Sequence, residues 1–296
     1  MNEIYLGGLK GVKLNSPIMN AAGCYCSNYE QMNVLARTSG IGAIVSKSST
    51  LLPRNGNSRP NVYIDNNISV NSIGLANAGI EYYSKYDPPD HDIPCIQSVF
   101  VDSTNIINTL EFINKLPSRR NFEFNISCPN MGVGASEDEF PTLIGLIKDE
   151  ISEKHIWGLK MPVLFRERDF DFMSTILQIN TPNFITTSNT IPHGLTLTTR
   201  GSPRISAGFG GVGGIKPLGL ANTYEFYRRL PGLSIIGCGG IRTADDVIEY
   251  IRCGATCVQI GTALLQYGPQ LITQINNTLA SINLSLIRGT FRAPKL

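Results

Sequence analysis

Phe122-Glu123-Phe124-Asn125-Ile126-Ser127-Cys128-Pro129-Asn130 begins as an apolar strand and turns polar at once. Two amides, a hydroxyl and a thiol follow within a few residues, and Pro129, lacking a backbone N–H, ends the pairing. Polar groups at the end of a core element must find partners or lose their hydration at a cost. A bound small molecule is one natural occupant. A polar turn in which Asn and Ser cap the backbone, with Cys128 as a small buried hydrophobe, explains the same residues.

Working outward from this stretch, short β-rich runs recur at residues 17–21, 43–46, 94–99, 122–126, 156–160, 183–187, 234–237 and 257–260. Amphipathic stretches lie between them, at 29–38, 104–115, 139–151, 170–179, 220–230 and 244–253. Eight strands alternating with helices predict an α/β fold, a closed (β/α)8 barrel. A doubly wound open sheet is the alternative, but no G-x-G-x-x-G follows the first strand. No repeat, charge block or low-complexity linker divides the chain, so 1–296 reads as a single domain. Two long connections, 51–85 and 191–217, follow strands two and six on the face where barrels do chemistry.

Composition narrows the partners. At 296 residues and 42% hydrophobic content the chain can bury a large core. A net charge of +2 argues against nucleic acid or an acidic membrane as the main partner. No apolar run approaches the roughly 20 residues that span a bilayer, and residues 1–5 lack the basic and apolar regions of a signal peptide. Seven cysteines without a framework fit a reducing cytoplasm. Cys24 and Cys26 stand too close for zinc-knuckle spacing and the three histidines are scattered, so no metal site is expected.

What each strand delivers to that face is more telling. Strand one ends in Ala21, Ala22 and Gly23, small enough for a planar group to approach the backbone. Strand two ends in Lys47, Ser48, Ser49 and Thr50; strand five carries a second lysine, Lys160; strand six ends in Ser188, Asn189 and Thr190. A solvated surface lysine is the ordinary alternative for Lys47. Two lysines converging with several amides suit an anionic, flat, hydrogen-bond-rich ligand. Gly237-Cys238-Gly239-Gly240 precedes a helix starting near Thr243, and Gly261-Thr262 follows the last strand. Bare backbone N–H groups and a helix N-terminus make a phosphate cradle at strands seven and eight. Gly208–Gly214 adds a further glycine surface. A phosphate plus a flat ring fits flavin mononucleotide (FMN). In the loop after strand two, Asn71 and the backbone around Gly74 could bind a carboxylate, although an ordinary turn is the simpler reading.

Taken together, these motifs resemble the dihydroorotate dehydrogenases, specifically the soluble class 1A form. The resemblance covers nearly the whole chain in order: Asn20-Ala21-Ala22-Gly23, Ser46-Lys47-Ser48-Ser49-Thr50, Asn71-Ser72-Ile73-Gly74-Leu75, Asn125-Ile126-Ser127-Cys128-Pro129-Asn130, Gly158-Leu159-Lys160-Met161-Pro162, Phe209–Gly214, Gly237–Gly240 and Gln259–Ala263. It implies an FMN-bearing barrel that oxidises dihydroorotate to orotate in pyrimidine biosynthesis. Cys128 is then the base that takes the C5 proton, while hydride leaves C6 for the flavin. Lys47, Asn71, Asn125, Asn130, Asn189 and Thr190 become orotate contacts, with Ile73, Gly74 and Leu75 offering backbone donors. Ala21, Ala22, Gly23, Ser48, Lys160, Ser188 and Cys238 fall against the flavin together with Lys47, Asn71 and Asn125. Lys160 is implied to stabilise charge on the reduced ring, and Gly213, Gly214, Gly239, Gly240, Gly261 and Thr262 to hold the phosphate end. Fumarate is implied as electron acceptor and a homodimer as the assembly.

A free thiol titrates near pH 8.5, so turnover through Cys128 is expected to rise toward alkaline pH. This chain departs from the family pattern at Ile73 (usually methionine), Ala76 (proline) and Thr190 (serine), in a short Gly213–Pro217 connection, and in the loop 131–140, an expected active-site lid. Competing readings are another FMN-dependent pyrimidine oxidoreductase, a flavin-free sugar-phosphate isomerase and a non-catalytic binding barrel. The charge balance lacks the basic excess of a tRNA-acting enzyme, and no iron–sulfur cysteine pattern is present.

Overall fold

The computed structural model describes residues 3–8, 10–65, 68–89, 92–127 and 137–293. Eight parallel strands form its centre: β1 (Ile18–Asn20), β2 (Ile44–Val45), β3 (Cys95–Phe100), β4 (Asn121–Asn125), β5 (Ile156–Met161), β6 (Phe184–Thr187), β7 (Ser234–Cys238) and β8 (Cys257–Ile260). Each pairs with the next from β2 to β8, β6 with β7 despite the long insertion between them, and β8 pairs back onto β1. Met19 bridges Ala43, and Gly42 N–H donates to the Ile18 carbonyl at 2.7 Å, so the β1–β2 seam closes the barrel. The expected strands thus lie where the alternation put them.

Period-two alternation sorts the side chains. Phe122, Phe124, Trp157, Leu159 and Ile185 point outward beneath helices Ile106–Asn114, Phe140–Glu150 and Glu167–Asn180. Met19, Ala43, Val45, Ile96, Ile156, Phe184, Ile236 and Cys257 form a separate apolar cluster with Leu6, Val12 and Leu14 of an N-terminal hairpin. That hairpin, Ile4–Leu6 with Val12–Leu14, plugs the end of the barrel opposite the site. Burying Leu6 and Leu14 there contributes roughly 1.5–3 kcal/mol each. Gly158 makes room for Phe184 in the same layer, since a Cβ at Gly158 would lie 2.4 Å from the ring.

The two long connections meet in one structure. Val62–Asp65 and Ile68–Asn71 form a hairpin, as do Ile191–Leu195 and Phe209–Gly213. The glycine strand Phe209–Gly213 pairs antiparallel with Ile68–Asn71, giving a four-stranded sheet over the C-terminal mouth. Only glycine permits this approach at position 210, where a Cβ would meet the Asn71 carbonyl oxygen at 2.4 Å. All six expected helices form, two of them beginning earlier than expected, at Glu167 and Lys216. Helices Ile80–Ser84, Thr262–Tyr267, Gln270–Leu279 and Leu284–Ile287 were not expected. Among the described residues, no helix is long and apolar enough to cross a membrane.

Candidate active site

Where the strand ends meet the antiparallel sheet, one pocket collects nearly every expected residue. Ala21, Ala22 and Gly23 line it from β1, Lys47 and Ser48 from β2, Asn125 from β4 and Lys160 from β5. Ser188, Asn189 and Thr190 enter after β6, Cys238, Gly239 and Gly240 from β7, and Gly261 and Thr262 after β8. The insertions supply Asn71, Ile73, Leu75, Gly213 and Gly214. Gly74 stands apart from the wall and turns with positive φ against Asn57. Cys128, Asn130 and most of the expected lid, residues 131–136, lie outside the described residues. A second cavity, of about 360 Å³, opens between the N-terminal hairpin and residues 280–288, but it holds none of the strand-end groups.

Lysines dominate the pocket's electrostatics. No acidic side chain lines it among the described residues, so the field inside is positive. Lys47 is only 8% exposed, and its ammonium makes no hydrogen bond or ion pair among the described residues, leaving all three N–H donors for a ligand. Its ammonium nitrogen sits 3.3 Å from where a Cβ on Gly23 would be, so glycine there keeps Lys47 unobstructed. Lys160, equally buried, donates to Gln259 Oε1 at 2.8 Å and keeps two N–H groups uncommitted to that bond.

Beside the lysines runs a chain of neutral polar groups. Ser98 and Ser48 share a hydrogen bond at 2.8 Å, and Asn125 Nδ2 donates to Ser48 Oγ at 3.3 Å. Asn189 Nδ2 donates to Asn125 Oδ1 at 3.0 Å and to the Ser127 carbonyl at 2.6 Å. This fixes the orientation of both amides before any ligand enters. The 71–79 loop is pinned as well. Asn77 accepts from Thr50 and Gly79 N–H groups, and Asn57 Nδ2 donates to the Ser72 carbonyl at 2.9 Å.

Glycines shape the far end. Gly239 and Gly240 adopt φ of 135° and 65°, which L side chains rarely accept. A Cβ on Gly213 would fall 2.6 Å from Ser69 Oγ, whose hydroxyl is shared with Thr262 Oγ1 at 2.7 Å. One expectation changes here. The helix Ala244–Arg252 does not turn a free N-terminus toward the pocket, because Thr243 and Asp246 form its capping box and Asp246 also pairs with Lys216. Residues 213–214, 239–240 and 261–262 still line the pocket.

Comparison with known proteins gives the same constellation a family. Residues 7–282 match the family model described as dihydroorotate dehydrogenase. The chain belongs to the dihydroorotate dehydrogenase family. It is 36% identical over 283 residues to the dihydroorotate dehydrogenase A (fumarate) of Lactococcus lactis, covering 90% of each chain. With the dihydroorotate dehydrogenase (fumarate) of Trypanosoma cruzi it shares 33% identity over 283 residues, covering 90% of this chain and 89% of that one. A crystal structure of DHODH from Eimeria tenella in complex with ferulenol superposes with a TM-score of 0.78 at 17% identity, covering 97% of this chain and 88% of that one. That likeness carries the barrel fold.

Within this dihydroorotate dehydrogenase fold, the sequence reading missed Cys24, Val62, Ser69, Ile215 and Leu265 on the pocket wall. It also missed the partners behind the wall, Ser98 and Gln259. Period two could have revealed Gln259, a polar residue inside an otherwise apolar strand, whereas Ser98 stands beside Gln97 and breaks no such pattern alone. Burial pushes the Cys24 thiol up to about 12 and that of Cys26 up to about 11, so neither accepts a proton near neutral pH.

Proposed function

We propose that this chain oxidises dihydroorotate to orotate on bound FMN and passes the electrons to fumarate. The observation that carries the reading is Lys47: a buried cation whose ammonium has no partner among the described residues, beside Asn71, Asn125, Asn189 and Lys160 in a pocket with no acid among those residues. A planar carboxylate supplies what that cation lacks, and the fixed amides match ring carbonyls and N–H groups. Fumarate, another flat carboxylate, suits the same site. FMN fits the remaining walls, with its phosphate against the bare backbone of Gly213, Gly214, Gly239, Gly240, Gly261 and Thr262. When bound, it supplies the acceptor for a hydride.

The chain's own residues do the rest. Lys47 and the amides orient the substrate. Lys160 places positive charge near the ring position where electron density grows. Cys128 takes the C5 proton as general base. Cys24, one of two described cysteines on the pocket wall, is held as a thiol by burial and does not serve as that base. A cytoplasmic homodimer completes the reading, in keeping with seven cysteines in no disulfide framework. Steady-state assays with dihydroorotate and, in turn, fumarate, NAD and a quinone test it. Orotate formation fastest with fumarate is expected; orotate formed only with NAD or a quinone would remove fumarate from the proposal.

A further inference from the structure

Among all residues of β1 to β8, only Glu123 and Lys160 carry a formal charge, and Gln259 joins them. Lys160 Nζ donates to Gln259 Oε1 at 2.8 Å, and Gln259 Nε2 donates to Glu123 Oε2 at 2.7 Å. Thr186 Oγ1 donates to the same Glu123 oxygen at 2.6 Å. Glu123 and Gln259 are fully buried, and Glu123 Oε1 makes no hydrogen bond among the described residues. We propose that Gln259 and Glu123 are positioning residues that aim Lys160 at the flavin and preserve its charge there. The inference rests on the reading that Lys160 faces the flavin.

Geometry explains why a glutamine stands between the charges. In the register of β4 with β5, Lys160 lies opposite Asn125, while Glu123 lies opposite Gly158, one inward step deeper. A lysine pairing directly with Glu123 would turn down into the barrel and be neutralised. Gln259 reaches in from β8, on the far side of the barrel, and offers its carbonyl at a higher level. The amide has one productive orientation. Flipped, it would set N–H against ammonium and carbonyl oxygen against carboxyl oxygen, losing both bonds. Glu123, fixed by Thr186, therefore decides which end of Gln259 faces Lys160. Lys160 gains an acceptor and a direction without gaining a neutralising partner in contact. The field that a ligand at the mouth meets is the field that this relay permits.

The test uses purified flavin-loaded enzyme and reads the two-electron flavin midpoint potential and the dissociation constant for sulfite, which adds to electron-poor flavins. Lys160→Met is the reference: it lowers the potential and weakens sulfite binding if Lys160 faces the ring. Gln259→Met removes both relay bonds at similar volume. It is expected to shift the reduction equilibrium by about tenfold, or about 30 mV toward negative values. In the double variant Lys160→Met/Gln259→Met the potential should equal that of Lys160→Met alone, because the relay acts only through the lysine. Thr186→Val removes the hydroxyl that fixes Glu123 but leaves the Lys160 acceptor in place, so it should lower the potential by less than Gln259→Met does. Should Gln259→Met lose its flavin, Gln259→Glu gives the same answer: a carboxylate touching Lys160 cancels its charge and lowers the potential. A shift in Lys160→Met with none in Gln259→Met or Gln259→Glu overturns this inference alone. No shift in Lys160→Met overturns both the inference and the placement of Lys160 beneath it.

Discussion

Replacing Lys47 with methionine separates binding from folding. The side chain is 8% exposed and partnerless among the described residues, so its removal strands no hydrogen-bonding group in the protein. Methionine has similar length and fills the same channel, and the change in unfolding free energy of the ligand-free protein is expected to stay within about 1 kcal/mol. Ligand binding should respond very differently. Removing one member of a buried, hydrogen-bonded charge pair costs roughly 2–5 kcal/mol, and each 1.4 kcal/mol is tenfold. Orotate affinity should therefore fall by about 30-fold to several thousandfold. Lys160→Met makes the contrast, because it leaves Gln259 Oε1 without its donor inside the barrel and should destabilise by about 1–3 kcal/mol. Titration of the oxidised enzyme with orotate, followed by perturbation of the flavin spectrum, gives the affinity; urea unfolding gives the stability. Wild-type orotate affinity in Lys47→Met would refute the substrate-binding role. A stability loss above about 2 kcal/mol would refute the claim that Lys47 has no structural partner.

Three further outcomes are expected. Cys128→Ala should slow anaerobic flavin reduction by dihydroorotate by about 10²–10⁴-fold while orotate still binds; reduction at the wild-type rate would defeat the base assignment. Gly213→Ala places a methyl 2.6 Å from Ser69 Oγ and breaks its bond with Thr262, so fluorescence titration with FMN should show affinity weakened by about tenfold or more. Burial acts to raise the Asp246 carboxyl, but hydrogen bonds from Lys216 and from the Arg242 and Thr243 N–H groups outweigh it and hold it below the usual carboxylate range. Its folded-state value is depressed, so its contribution is present above about pH 4 and is lost as pH falls through the folded value. Asp246→Asn should lose about 1–2 kcal/mol at neutral pH and show a shallower acid-side decline in chemical denaturation.

Residues on the pocket wall were the ones most legible in the sequence. A lysine or asparagine at the end of a short apolar or aromatic strand stands out, as with Lys47, Asn125 and Lys160. Inserted pairings were not legible. Nothing local tells Phe209–Gly213 to pair with Ile68–Asn71, more than 130 residues away, and glycine there reads equally as a loop. Helix Gln270–Leu279 escaped notice because its outer face is Asn, Gln and Thr, without the charges that usually mark a solvated side. The cap that Thr243 and Asp246 make is local and was written in the sequence as T-x-x-D. Its consequence, a helix end closed to a phosphate, follows only once Lys216 is seen beside Asp246. Glu123 and Gln259 stand at polar positions visible in their strands, but only barrel closure brings them together.

The central claim is a flavin reduced by dihydroorotate and reoxidised by fumarate within this pocket. Anaerobic mixing of the purified enzyme with dihydroorotate, then with fumarate, tests it in one cuvette. The account predicts that the flavin band bleaches with one orotate formed per flavin and returns when fumarate is added. A flavin that keeps its colour in excess dihydroorotate, or a purified protein that holds no flavin, would contradict it.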